Sequence, residues 1–288
     1  MSRHRVRRRP IWKKLAAMLA VILAAGVFLW WGNTSLQTEE FTFPSSRLPE
    51  GFDGYRIAVL SDLHGARFGE KNEKLMEAVR AAKPDIIAVT GDLEDQFRGH
   101  DAAWLQNLAE KLAEIAPVYY ITGNHEWAVG DVPQLKKDLT AAGWTVLTNR
   151  YVLLEREGET ILLAGIDDPN GYADQKSPET LAAELYAAYG DPFWILLAHR
   201  NNRFENQYSL LGADLTISGH GHGGMIRLPF TDGLLSVERT LFPSYTAGFY
   251  AVNGETVFVS RGLGNSGPSF RLFNRPQIAV VTLRKVGA

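Results

Sequence analysis

Cysteine is absent from the chain, which excludes disulfides, zinc-thiolate sites, iron-sulfur clusters and thiol nucleophiles together. Any metal must then be held by oxygen and imidazole. An excess of one charge is lacking too. Against 32 acidic residues stand 30 basic ones, a formal net charge of -2, so no global field draws the chain onto nucleic acid and no nucleic-acid partner is expected. The tryptophans are scattered and form no stripe on which bases would stack. Repeats and low-complexity tracts are missing, and a chain with 45% hydrophobic and 22% charged residues has the make-up of an ordinary globular protein, expected here as a monomer.

Acids are also missing from the first fourteen residues, which carry Arg3, Arg5, Arg7, Arg8, Arg9, Lys13 and Lys14. Leu15 to Trp31 then contains no polar side chain. At roughly 1.5 Å per helical residue this run reaches about 25 Å, near the short end of what spans a bilayer. Trp30 and Trp31 suit the interfacial belt, and the basic flank places the N-terminus on the cytoplasmic side. Arg8-Arg9-Pro10-Ile11-Trp12-Lys13 is similar to a twin-arginine export signal. Bulky Phe28 to Trp31 after the small residues argue against cleavage, so residues 15–31 are expected to remain as a single-pass anchor or uncleaved signal. The rest of the chain is then expected outside the cytoplasmic membrane.

Residues 32–53 are polar and punctuated by Pro44 and Pro49, and read as a linker or edge strand. Beyond them, short apolar runs at Arg56 to Leu60, Ile86 to Thr90 and Val118 to Ile121 alternate with helical patterns at Glu70 to Ala82, Ala102 to Ile115 and Val132 to Ala142. The second half carries closely spaced strands, with helices expected at Pro178 to Ala188 and Arg203 to Leu211. Alternation followed by hairpins predicts an α/β fold. Ligands in such sheets gather where strands end.

Five strand ends present chemistry. Asp62 and His64 follow the first run with the i,i+2 spacing that puts both side chains on one face of extended chain. Gly91-Asp92 follows the second, Gly123-Asn124-His125-Glu126 the third, His199 ends the run from Trp194, and Gly219-His220-Gly221-His222-Gly223-Gly224 follows Leu215 to Ser218. Read singly, an Asp or Asn after glycine is an ordinary turn former. Four glycines around two imidazoles are harder to explain without an ion to close around. Five of the seven histidines lie in these segments. By contrast, Gly262-Leu-Gly-Asn-Ser-Gly267 fits a dinucleotide pattern but runs into Pro268 and reads as a loop.

The ordered set Asp-x-His, Gly-Asp, Gly-Asn-His-Glu, a lone His and Gly-His-x-His resembles the calcineurin-like metallophosphoesterases. With the N-terminal anchor and Ser260-Arg261-Gly262-Leu263-Gly264, it looks like their membrane-anchored YaeI/YkuE-type phosphodiesterase branch. One departure is Asn201-Asn202 after His199-Arg200, where the pattern carries a proline and an acid. The resemblance implies a four-layer αββα sandwich of two mixed β-sheets flanked by helices, occupying residues 54–288. It implies one metal ion on Asp62, His64 and His222, a second on Asn124, His199 and His220, and Asp92 bridging them. Oxygen and imidazole donors suit manganese, iron or zinc.

The expected activity is dinuclear phosphoester hydrolysis, with phosphodiesters as the leading substrate and lipid-linked ones included by the tether. A metal-activated hydroxide would attack phosphorus while His125 acts as general acid. Asp95 is a candidate to orient His125, and Arg67, Arg200 and Arg203 are candidates to clamp phosphate oxygens. Two other readings remain open: pyrophosphate hydrolysis of a UDP-2,3-diacylglucosamine-type glycolipid, and a noncatalytic metal-binding scaffold.

Overall fold

In the computed structural model, residues 11–171, 175–228, 232–236, 239–267 and 269–287 are described. The arginines of the basic N-terminus, and with them the twin-arginine-like pair, lie outside these residues. The chain enters through helix α1 (Ile11–Thr34), longer at both ends than the apolar run. It is the one described helix long and apolar enough to cross a membrane, and only 6% of its most apolar window is covered by the rest of the chain.

Two six-stranded sheets follow. The first comprises β1 (Gln37–Ser45), β2 (Arg56–Leu60), β3 (Ile86–Val89), β4 (Val118–Tyr120), β5 (Thr145–Val146) and β14 (Gln277–Lys285), in the order β1-β14-β2-β3-β4-β5. The second comprises β6 (Arg150–Arg156), β7 (Glu159–Ile166), β8 (Trp194–Arg200), β9 (Leu215–Gly219), β12 (Gly248–Val252) and β13 (Glu255–Val259), in the order β12-β13-β9-β8-β7-β6. Strands β2 to β5 are mutually parallel, as are β7, β8, β9 and β13, while β14 and the outer strands β6 and β12 run antiparallel to their neighbours β2, β7 and β13. Both sheets are therefore mixed.

Three buried clusters define the layers. One fills the space between the sheets with Ile57, Val59, Ala88, Leu163, Ile195 and Ile217 among its members. A second lies between the first sheet and helices α2 (Glu73–Ala82), α3 (Ala102–Ala113) and α5 (Val132–Ala141). The third packs α6 (Pro178–Tyr189) and the turns carrying Phe204 and Tyr208 on the second sheet. Three apolar interfaces make four layers, helix-sheet-sheet-helix, as the resemblance implied. Central strands such as β2 and β3 are continuous apolar runs because both their faces are covered.

One reading of the chain is resolved and another changes. Of linker and edge strand, residues 32–53 supply the edge strand, because β1 pairs in parallel with β14 from Gln37–Gln277 to Ser45–Lys285. Its alternation sends Phe41 and Phe43 inward and leaves Pro44 exposed at the sheet edge, the place where a missing N–H costs no ladder bond. The helix expected from Arg203 to Leu211 is instead two 3-10 turns, Asn201–Arg203 and Tyr208–Leu210. A short helix α4 (Asn124–Val129) and a small hairpin of β10 (Ile226–Arg227) and β11 (Gly233–Leu235) complete the described elements.

The edge strand makes a prediction. Deleting residues 1–35 is expected to leave a folded domain, whereas deleting 1–46 also removes the β14 ladder and buried Phe43. The second truncation is expected to unfold with a urea-melt stability lower by about 3 kcal/mol or more, given about 1.5–3 kcal/mol for one buried aromatic alone. Equal stabilities would show that β1 is dispensable.

Candidate metal centre

The site residues sit where β2, β3, β4, β8 and β9 end, and the backbone there is forced. Asp62, His64, Asp92, His220 and His222 all adopt positive φ, between 47° and 66°. Left-handed backbone costs a non-glycine residue on the order of 1–3 kcal/mol and persists only where surroundings over-determine it. Part of that restraint is hydrogen bonding between loops: the Asp62 N–H donates to the Gly91 carbonyl at 3.0 Å, and the His64 N–H to the Asp92 carbonyl at 2.9 Å. Glycines permit the approach. A Cβ at Gly123 would be driven into the Asp92 carboxylate, and one at Gly264 into the Leu63 carbonyl.

Buried Glu126 ties the loops together from below. Its carboxylate accepts the backbone N–H groups of Asp92 (3.0 Å), Leu93 (2.6 Å) and Gly123 (2.7 Å). Burial and the neighbouring Asp92 push this carboxyl up to about 8, against the N–H groups that favour its ionised form. Asp92 itself accepts the His125 N–H on Oδ1 at 2.8 Å, leaving Oδ2 to face the imidazoles.

Those imidazoles form two sets. His64 Nε2 and His222 Nε2 lie 3.0 Å apart, with Asp62 Oδ1 3.5 Å from His222 and Asp92 Oδ2 3.7 Å from His64. On the other side, Asp92 Oδ2 is 3.2 Å from His199 Nε2, which is 3.2 Å from Asn124 Oδ1. The ring of His220 crosses that of His199 with centroids 5.1 Å apart. Asp62, His64 and His222 offer donor atoms within 4.8 Å of one another, as do Asp92, His199 and His220. All seven predicted ligand side chains thus come together around Asp92.

Donor chemistry fits cations. Burial holds His64 down at about 3 and His222 well below its ordinary value, so both rings are neutral. Two neutral imidazole nitrogens pointing at each other across 3.0 Å, beside carboxylates, is the arrangement a divalent ion resolves. His199 behaves differently. Burial alone would lower it, but the Asp92 carboxylate outweighs this and raises it to about 10. Its Nδ1 lies 2.7 Å from the Thr90 carbonyl, a contact that fixes the ring and turns Nε2 towards the site.

The remaining predicted residues divide. His125 stands beside the cluster, its ring 4.5 Å from that of His64, with Nδ1 3.2 Å from the Gln96 N–H and Nε2 3.2 Å from Ser266 Oγ. Asp95 lies 3.7 Å from His125 Nδ1, beyond hydrogen-bond range. Its carboxylate accepts from the N–H groups of Phe97 (2.9 Å) and Gly267 (3.0 Å), so it positions the loops around His125 while standing within ion-pair range of the ring. Arg200 is engaged by buried Asp168 at 2.7 and 3.1 Å. Arg67 is paired with Asp101 at the surface and Arg203 is exposed, so neither belongs to the clusters.

Some site residues had not been singled out. The Gly262 to Gly267 loop packs directly on the Asp62 loop, through Leu263 N–H to the Ser61 carbonyl at 2.9 Å and Gly264 N–H to the Asp62 carbonyl at 2.6 Å. It carries Ser266 to His125. Buried Arg271 follows, with Nη2 3.3 Å from His222 Nδ1 and 2.7 Å from the Gly264 carbonyl. From sequence the stretch reads as a mark of the family branch and, in its glycine spacing, as a loop, with no part at the site assigned to it.

The calcineurin-like phosphoesterase family model matches residues 55–224. The chain belongs to that family. Among its relatives is an uncharacterized metallophosphoesterase of Bacillus subtilis, YkuE, 32% identical over 260 residues and covering 86% of both chains. A metallophosphoesterase of Aquifex aeolicus is 29% identical over 257 residues, covering 88% of this chain and 93% of its own. A Danio rerio transmembrane protein with metallophosphoesterase domain is 29% identical over 254 residues, which cover 84% of this chain and 56% of that protein. Family and site geometry together make the chain a phosphoric ester hydrolase with a divalent-metal site.

The protonation of His199 gives a test. With its pKa raised from about 6.5 to about 10, the metal-free ring keeps its proton at pH 8, while His64 and His222 hold none. Loading manganese at pH 8 is therefore expected to release at least one proton per chain, read by titration calorimetry in buffers of different ionisation enthalpy. Apparent affinity is expected to rise with pH below pH 10. No proton release would contradict the Asp92–His199 pairing.

Proposed function

We propose that the protein is a membrane-tethered dinuclear phosphodiesterase. The observation that carries this reading is the Asp92 carboxylate, with His64 and His222 on one side and His199 on the other. Asp62, His64 and His222 would hold one ion, Asn124, His199 and His220 the other, and Asp92 would serve both. When bound, the ions supply a nucleophile from water at neutral pH and neutralise charge at phosphorus.

The chain's own residues do the rest. His125 would act as the imidazolium, giving the proton on Nε2 to a leaving oxygen, with its Nδ1–H released from the Gln96 contact and facing the Asp95 carboxylate 3.7 Å away. Ser266 accepts the Nε2–H between turnovers. No side chain needs to bond covalently to phosphorus, because attack by water in line with the leaving group completes the reaction.

Space beside His220 and beside His125 favours a diester over a monoester. One cavity, about 260 Å³, is lined by His220, Asn201, Tyr245 and Thr246. Another, about 380 Å³, opens beside Phe97 and Ser266, both neighbours of His125. A substituent on each of the two ester oxygens is thereby accommodated. The tether is α1, crossing the cytoplasmic membrane with the basic end inside and the catalytic domain outside, a topology supported by the charge asymmetry of the N-terminus.

Manganese-dependent hydrolysis of bis(p-nitrophenyl) phosphate is expected from the full chain in detergent. Asp92→Asn is expected to abolish it, and His125→Ala to lower kcat by about 10²–10⁴-fold, with less effect for an activated aryl leaving group than for an alkyl one. Equal rates in wild type and Asp92→Asn would refute the bridging role. Topology is read separately, from digestion of a C-terminal tag by protease added to intact spheroplasts; protection of that tag would reverse it.

A further inference from the structure

We infer that the substrate is a phosphodiester whose leaving alcohol is a long apolar chain, drawn sideways from the bilayer into the cavity beside His125. The inference rests on the phosphodiesterase reading above and adds a substrate class to it. Three observations lead there independently of family resemblance.

The first is the contrast between the two cavities. That on the His220 side is walled by Asn201, Glu205, Tyr245 and Thr246. That on the His125 side is walled by Phe97, Met225, Ile226, Leu235 and Phe270, with Arg239 and three serines also lining it. The two cavities adjoin at Ser236, which lines both, so a phosphate at the cluster would turn a polar substituent towards His220 and an apolar one towards His125.

The second is the position of the acid. In an in-line displacement the proton donor stands on the leaving side, and His125 contacts both Phe97, at a ring separation of 6.3 Å, and Ser266 of the apolar cavity wall. Water's oxygen joins phosphorus, the bond from phosphorus to the apolar alcohol's oxygen breaks, and His125 delivers the proton that makes the alcohol neutral. A proton from the attacking water restores His125. The products are an apolar alcohol, which the cavity and membrane can hold, and a polar phosphomonoester, which leaves by the other side.

The third is continuity with the anchor. The loop that supplies Ser266, Ser269 and Phe270 is pinned to the C-terminal turn of α1, where Asn33 donates to the Arg271 carbonyl at 2.9 Å and accepts from Asn265 at 2.9 Å and from the Arg271 N–H at 2.7 Å. The Arg275 guanidinium lies 4.6 Å over the Trp31 ring, and Phe28 meets Phe273 at 5.4 Å. Phe97 and Phe270 of the cavity wall are 65% and 52% exposed, Leu241, bridged to cavity-wall Leu235, is 64% exposed, and Phe273, which meets Phe28, is 53% exposed. Such a collar is an unfavourable surface in water, but here it stands where the anchor leaves the bilayer, at the depth where apolar side chains meet acyl chains.

The test uses methyl alkyl phosphodiesters with alkyl groups from butyl to dodecyl, presented to the full-length protein in phosphatidylcholine vesicles with manganese. Expected is a rise in kcat/KM of about threefold per methylene over the early members, in line with burial of each CH₂, with the alkanol and methyl phosphate as products. Phe270→Asp is expected to lower the dodecyl-to-butyl ratio by about tenfold or more, a ratio that loss of folded enzyme leaves alone. A flat chain-length profile, or methanol and alkyl phosphate as products, would overturn the inference while leaving the phosphodiesterase reading intact. Absence of hydrolysis for the whole series and for bis(p-nitrophenyl) phosphate would remove that reading, and this one with it.

Discussion

One buried carboxylate organises this molecule. Asp92 stands between two sets of imidazoles, with one oxygen facing His64 and His199 and the other fixed by the His125 N–H. To bring it there, five of the seven converging residues occupy left-handed backbone. At on the order of 1–3 kcal/mol each, that strain is comparable to the net stability of an ordinary domain. Three apolar interfaces and two six-stranded ladders offset it. Glu126 concentrates the restraint at the point of need, binding the N–H groups of two loops with one carboxylate.

The same logic links the catalytic end to the membrane. Strand β1 joins the first sheet immediately after α1, so the anchor is wired into the fold rather than hung from it. Asn33, at the end of α1, bonds to the loop that contacts His125 and, through Arg271, His222. A rigid connection of this kind fixes the position of the site relative to α1, which a flexible linker would leave free.

Much of this was legible from residue order. Parallel strands buried on both faces leave unbroken apolar runs, and the ligands follow those runs directly, so Asp62, His64, Asp92, Asn124, His199, His220 and His222 were visible as a set. What escaped has a common cause: it depends on contacts between distant segments. Polar Thr38, Glu40 and Thr42 left β1 readable as either a linker or an edge strand, because only its inner face is covered. The Gly262 to Gly267 loop carries no ligand type, and only its docking on Asp62 reveals its part. Arg200 and Asp95 were judged by nearness in sequence, whereas Asp168 and the N–H groups of Phe97 and Gly267 compete for them in space. Arg203 to Leu211 had helical spacing, but the chain there turns twice in 3-10 geometry to seat Phe204 and Tyr208 on the second sheet.

The central claim is that Asp92 bridges two ions. Crystals of the protein grown with manganese, measured at the manganese absorption edge, are predicted to show two anomalous peaks about 3.5–4 Å apart, one beside Asp62, His64 and His222, the other beside Asn124, His199 and His220, with Asp92 touching both. A single peak, or a pair that does not share Asp92, would contradict the account.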